Sequence, residues 1–185
     1  MRIEGLFSCA AVLVLSAPAI AQTSPVTRHP EYRFAIIWPA VPKARDISYV
    51  TKEGASVPTR QLYVEQSGEQ FVVTVVNLPN SPAVDDQAVQ HAADQLRVRG
   101  EVRFQYDDAY DPGVPGRQLN MVEPNGLQLR ASMYMWDRYL IIAVASAAPG
   151  SSAALQFEQS LTLLDAAGDE VNTGQDNTPF SAQRR

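Results

Sequence analysis

Apolar and polar residues alternate most regularly between Gly116 and Ala145, GRQLNMVEPNGLQLRASMYMWDRYLIIAVA. Leu127, Leu129, Ala131, Met133 and Met135 fall on one side, and Gln128, Arg130, Ser132 and Tyr134 on the other. That period of two is what a half-buried strand requires. Asn125-Gly126 precedes it and predicts a type I′ hairpin turn, because both central residues of such a turn need positive φ. Trp136-Asp137-Arg138 is a second expected turn. The next run, Tyr139 to Ala145, is apolar on both sides, which predicts a central strand covered on both faces.

The same reading places strands at Tyr32–Trp38, Asp46–Lys52, Thr59–Gln66, Gln70–Asn77 and Glu101–Tyr106, the last with Val102, Phe104 and Tyr106 on one side. Between Leu78 and Gly100 the period changes to that of a helix. Ser81 is the expected cap, Pro82 the first helical residue, and Val84, Ala88, Ala92 and Leu96 the apolar stripe, with Gly100 as the stop. Ser151 or Ser152 caps a second helix whose apolar face is Ala154, Phe157, Leu161 and Leu164. Four strands, a helix, four strands and a helix define an α+β class, a mostly antiparallel sheet flanked by helices. One domain is expected over 32–166, after a polar leader at 22–31 and before a disordered polar tail at 167–185.

The first residues change the picture of where the protein works. Arg2 opens the chain, Leu6 to Ser16 is apolar, and Ala19-Ile20-Ala21 is an A-x-A cleavage pattern, so residues 1–21 are expected to be a signal peptide removed near Ala21. Cys9 precedes most of the apolar run, whereas a lipobox cysteine follows it. The apolar run is too short for a stable membrane span, and no cysteine follows Ala21. An exported chain without disulfides points to a bacterial periplasm or cell exterior. The net charge of -5 and scattered basic residues argue against nucleic acid as partner.

Candidate chemistry is sparse. His29 lies in the leader, and His91 lies among glutamines on an expected solvated helix face; no G-x-S-x-G elbow, H-E-x-x-H pair or phosphate loop occurs. No catalytic residue and no cofactor are therefore assigned. Asp107, Asp108 and Asp111 supply three carboxylates on one loop and form a candidate calcium site, although their spacing departs from that of an EF-hand. Tyr134, Trp136 and Tyr139 with Arg130 and Arg138 form a candidate partner-binding surface, since Trp, Tyr and Arg dominate binding hot spots. The opposing reading has Trp136 closing the end of the sheet core. Met121, Met133 and Met135 could line an apolar pocket between sheet and helix.

Four segments carry a resemblance: Pro115-Gly116-Arg117-Gln118, Leu129-Arg130-Ala131-Ser132-Met133-Tyr134, Arg138-Tyr139-Leu140-Ile141-Ile142-Ala143-Val144 and Phe157-Glu158-Gln159-Ser160-Leu161. In these the chain resembles the PsbP/Mog1-like group of α/β/α sandwich proteins, with Gln118 where an acid is usual and Leu161 where Phe is usual. Members of that group serve as photosystem II assembly or extrinsic subunits and as a small-GTPase partner. The resemblance therefore implies a binding module without a shared catalytic centre. The expected function is an exported, non-catalytic binding or accessory protein that contacts another envelope protein. The alternatives are a small apolar ligand or lipid binder, and a calcium-binding module or enzyme.

Overall fold

The computed structural model describes residues 25–82, 84–107, 110 and 113–171. The expected signal peptide and positions 172–185 of the expected tail lie outside them. Ten strands and two α-helices follow in order, with a 3-10 turn at Pro30–Tyr32 between the first two strands: β1 (Val26–His29), β2 (Phe34–Ile37), β3 (Lys43–Val50), β4 (Ser56–Gln66), β5 (Glu69–Asn77), α1 (Asp86–Arg97), β6 (Glu101–Asp107), β7 (Gly116–Val122), β8 (Gln128–Trp136), β9 (Tyr139–Ala147), α2 (Ser152–Gln159) and β10 (Thr162–Leu163). A large sheet runs β3-β4-β5-β9-β8-β7-β6, antiparallel throughout, and a small one runs β1-β2-β10. The α+β class expected from the element order is the class observed.

Two meanders, β3 to β5 and β6 to β9, are joined by the pairing of β5 with β9, from Gln70↔Ser146 to Asn77↔Tyr139. β9 thus sits at the centre of the sheet and is buried along nearly all its length, as its doubly apolar sequence requires. One face packs under α1, which crosses β7, β8 and β9 on its way from β5 to the far edge. Met121, Met133 and Met135, each 0% exposed, lie there with Ala88, Ala92 and Leu140. The opposite face packs against α2 and the small sheet, where Phe157 meets the rings of Trp38 and Phe71 at centroid separations of 5.0 and 5.4 Å.

Several expectations are corrected. β8 is buried on both faces, because α2 covers the side that carries Ser132 and Tyr134. The turn at Asn125-Gly126 has positive φ only at Gly126; the Gly126 N–H donates to Glu123 O and Leu127 N–H to Asn125 Oδ1. Ser67-Gly68 instead carries positive φ at both positions, as a type I′ turn demands. α1 starts after Asp85, whose carboxylate accepts the Ala88 N–H at 3.0 Å, while Ser81 N–H turns back to Leu78 O and Val84 is exposed. Gly100 does not stop the helix through a left-handed conformation. Its backbone presses on β7, where an added Cβ would stand 2.2 Å from the Val122 carbonyl oxygen.

The expected leader and tail also contribute structure. Val26–His29 pairs with β2, and His29 stacks on Phe34 at 4.7 Å. Residues 167–171 fold back through Gly168, with Val171 N–H donating to Leu163 O, and Arg28 reaches both Glu170 and the Gly168 carbonyl. Non-local pairing of short polar segments has no periodic signature, which is why the sequence pattern passed over it.

Two predictions follow from this packing. Gly100→Ala is expected to destabilise the fold by about 1–3 kcal/mol in chemical denaturation, because the clash is with backbone that can yield only by moving β7. For Asp85, burial pushes the carboxyl up, but hydrogen bonds from Lys52, the Ala88 N–H and Ser81 outweigh it and hold the group below its usual range. A carboxylate depressed in the folded state stabilises fully above its unfolded pKa, and that contribution is lost as pH falls through the folded value. Asp85→Asn keeps a capping oxygen, so melts should show it weaker than the parent by roughly 1–3 kcal/mol near neutrality. The difference should close as pH falls through the depressed folded value; a gap unchanged by acid would contradict the assignment.

Candidate functional site

The far edge of the large sheet carries three large exposed apolar residues, Val102, Phe104 and Tyr106. β6 reads Glu-Val-Arg-Phe-Gln-Tyr-Asp and every one of its seven residues is exposed. A bulge at Arg103 sets Val102 opposite Met121 but Phe104 opposite Asn120 and Tyr106 opposite Gln118. Opposed residues share a face, so the extra residue separates Val102 from the two aromatics. This corrects the expectation that all three lie together. Val102 joins the α1 side, and Phe104 and Tyr106 turn to the side of α2.

On that side α2 reaches only as far as β8, so the aromatics stand over an uncovered shelf. Phe104 is 69% and Tyr106 54% exposed. The Tyr106 hydroxyl donates to Gln118 Oε1, and Gln128 Nε2 donates to Asn120 Oδ1 at 2.9 Å. The back wall is charged. Glu158 of α2 is buried, accepting Ser132 Oγ at 2.6 Å and Arg130 Nη2 at 3.4 Å. A cleft of about 120 Å³ lies between Phe104, Tyr106, Gln118, Asn120, Arg130 and Glu158. Arg130 Nε is buried beside it with no hydrogen-bond partner among the described residues.

The five residues singled out as a partner surface are divided by the fold. Arg130 belongs to the shelf. Tyr134, four residues on, is buried edge-on to Tyr110 at 5.4 Å. Trp136 is half-buried and its indole N–H donates to Leu164 O at 2.8 Å, tying the sheet end to the segment after β10. Arg138 is exposed with its guanidinium 5.6 Å from the Tyr139 ring centre, and Tyr139 packs on the core. Of the calcium candidates, Asp107 pairs with Arg117 at 2.8 Å, and Asp108 and Asp111 lie outside the described residues. Among the described residues no three His, Cys, Asp or Glu side chains converge on one point.

His91 corrects another expectation: it is not on a solvated face. Its Nε2 meets Val50 O at 3.0 Å and Gln95 Nε2 at 2.8 Å, and Gln95 donates to the same carbonyl, so together they hold α1 against β3. Burial pushes the neighbouring Tyr49 phenol up to about 12. The Tyr49 and Thr51 hydroxyls are buried without a partner among the described residues and border a cavity of about 10 Å³, enough for one bridging water.

A larger concavity, about 480 Å³, opens on the α1 side where β3, β4 and β5 run beyond the helix. The pocket expected from the methionines is therefore displaced: they are sealed beneath α1, and the groove is floored by Val72, Ile142 and Val144. No helix of the described residues is long and apolar enough to cross a membrane.

No family model matches the chain, and no curated protein matches it by sequence. Among solved structures it is similar to the solution structure of cyanobacterial PsbP from Synechocystis sp. PCC 6803, with 14% identity and a TM-score of 0.47 over 80% of this chain and 97% of that one. It is also similar to a Pseudomonas aeruginosa protein of unknown function, with 14% identity and a TM-score of 0.34 over 57% of this chain and 84% of that one.

Proposed function

We propose that this chain is an exported, non-catalytic binding module of the bacterial envelope, and that it receives an extended segment of a protein partner along β6. The observation that carries this reading is the edge itself. Among the described residues no strand pairs with the outer side of β6 over its seven residues, and it presents Phe104 and Tyr106 to solvent instead of to a core. An open edge supplies backbone donors and acceptors in register for one more strand, and alternate side chains supply selectivity. The aromatics and Arg130 are the residue types that anchor such contacts. Export and an envelope partner rest on the signal-like segment at 1–21, outside the described residues.

Because Phe104 and Tyr106 contribute little to the core, replacing both by serine should change stability by less than about 1 kcal/mol. Affinity capture from native envelope extract, run in parallel on the parent and the double variant, is expected to lose its specific partner in the variant. In the complex, hydrogen exchange at the β6 amides should slow while exchange at β3 stays as it was. A partner retained equally by both proteins, or protection that appears elsewhere, would refute docking at this edge.

A further inference from the structure

The groove beside α1 is a second site, with a chemistry unlike that of the β6 shelf. α1 packs on β7, β8 and β9 and meets β3 only near Tyr49 and Val50, so among the described residues much of the face formed by β3, β4 and β5 lies open beside it. Its volume of about 480 Å³ falls in the range of roughly 300–1,000 Å³ typical of small-molecule sites. Val72, Ile142 and Val144 form an apolar strip in the floor, bordered by Thr74, Gln61 and Gln70, with Leu96 of α1 as one wall and Ile47 of β3 as the other. Such a trough suits an alkyl chain.

Its charge selects the other end of the ligand. The chain carries a net charge of -5, yet the groove is lined by Arg45 and Arg99 and by no aspartate or glutamate among the described residues. Arg99 is already neutralised by Glu123, to which its Nε and Nη2 donate at 3.1 and 2.8 Å. Arg45 is different. Its Nε donates to the neutral Gln61 at 2.7 Å, its guanidinium stands 4.5 Å from the Tyr63 ring centre, and no carboxylate of the described residues pairs with it. Gln61 is held in turn by Thr74, so the guanidinium is positioned from behind by uncharged groups. A planar cation with open donors at the mouth of an apolar trough matches a carboxylate head on a hydrocarbon tail.

We propose that the groove binds a single-chain amphiphile with an anionic head, the head on Arg45 and the chain along Val72, Ile142 and Val144. The probe is cis-parinaric acid, a fluorescent long-chain carboxylic acid, titrated into the whole protein alongside its uncharged methyl ester. Saturable binding at one site is expected, with the acid preferred over the ester. Arg45→Gln, at an exposed position of an edge strand, should fold normally and weaken the acid about tenfold while leaving the ester unchanged. Ile47→Asp places a negative charge in the trough and should weaken both probes. Absence of saturable uptake, an acid affinity indifferent to Arg45→Gln, or an ester bound as tightly as the acid would each overturn the proposal. Phe104→Ser with Tyr106→Ser should leave probe binding intact; loss of binding there would move the site to the shelf.

Discussion

The pairing of β5 with β9 is the constraint on which the rest of the molecule depends. Each meander has one apolar strand that cannot be left at an edge, Phe71 to Val76 in the first and Leu140 to Ala147 in the second. Bringing these two together makes both of them central and pushes the polar strands β3 and β6 outward. The connection from β5 must then travel to the far edge before the second meander can return. α1 is that connection, and its length and its Ala88–Ala92 stripe fit the crossing over β7 to β9. The shelf and the groove are both consequences. α1 covers the β7 to β9 part of one face, and α2 with the small sheet covers part of the other, so among the described residues the open stretches lie toward opposite ends of the sheet.

Polar residues on the α2 face would argue against burial if they were counted singly. Arg130 and Ser132 survive there because Glu158 arrives from α2 to meet both, and a buried carboxylate is tolerable only with such partners. The three residues fix how α2 sits on β8, and so fix how much of β7 and β6 remains open. Arg117 plays the matching part on the other face, buried between Asp107 of β6 and Asp86 at the start of α1. Side chains that look like surface charges in the sequence thus act as spacers between layers.

Much of the fold was legible because it is periodic. The doubly apolar run of β9, the alternation of β8, the Ser151 cap of α2 and the Ala88–Ala92 stripe all translate directly into observed elements. What escaped depends on one residue or on distant partners. The bulge at Arg103 keeps the alternation of Val102, Phe104 and Tyr106 intact on paper while moving Val102 to the other face. Asn125-Gly126 and Ser67-Gly68 offer similar turn chemistry, and strand register decided between them. Trp136 and Tyr134 read as hot-spot residues because composition does not reveal that the segment around Leu164 returns to Trp136 and that Tyr110 packs on Tyr134. The acidic, aromatic composition of β6 was the available sign of an edge, since charge on a strand deters wrong pairing.

The methionines beneath α1 have a further consequence. Met121, Met133 and Met135 come from adjacent strands, and none is accessible to solvent while the helix is seated. A thioether becomes a sulfoxide only when an oxidant reaches it, and the polar product does not fit back into an apolar layer. These three sulfurs can oxidise only when α1 lifts or the domain unfolds, so their oxidation rate reports whichever of those openings costs less free energy. Because α1 also forms the wall of the groove, a ligand that seats against Leu96 would slow the same oxidation.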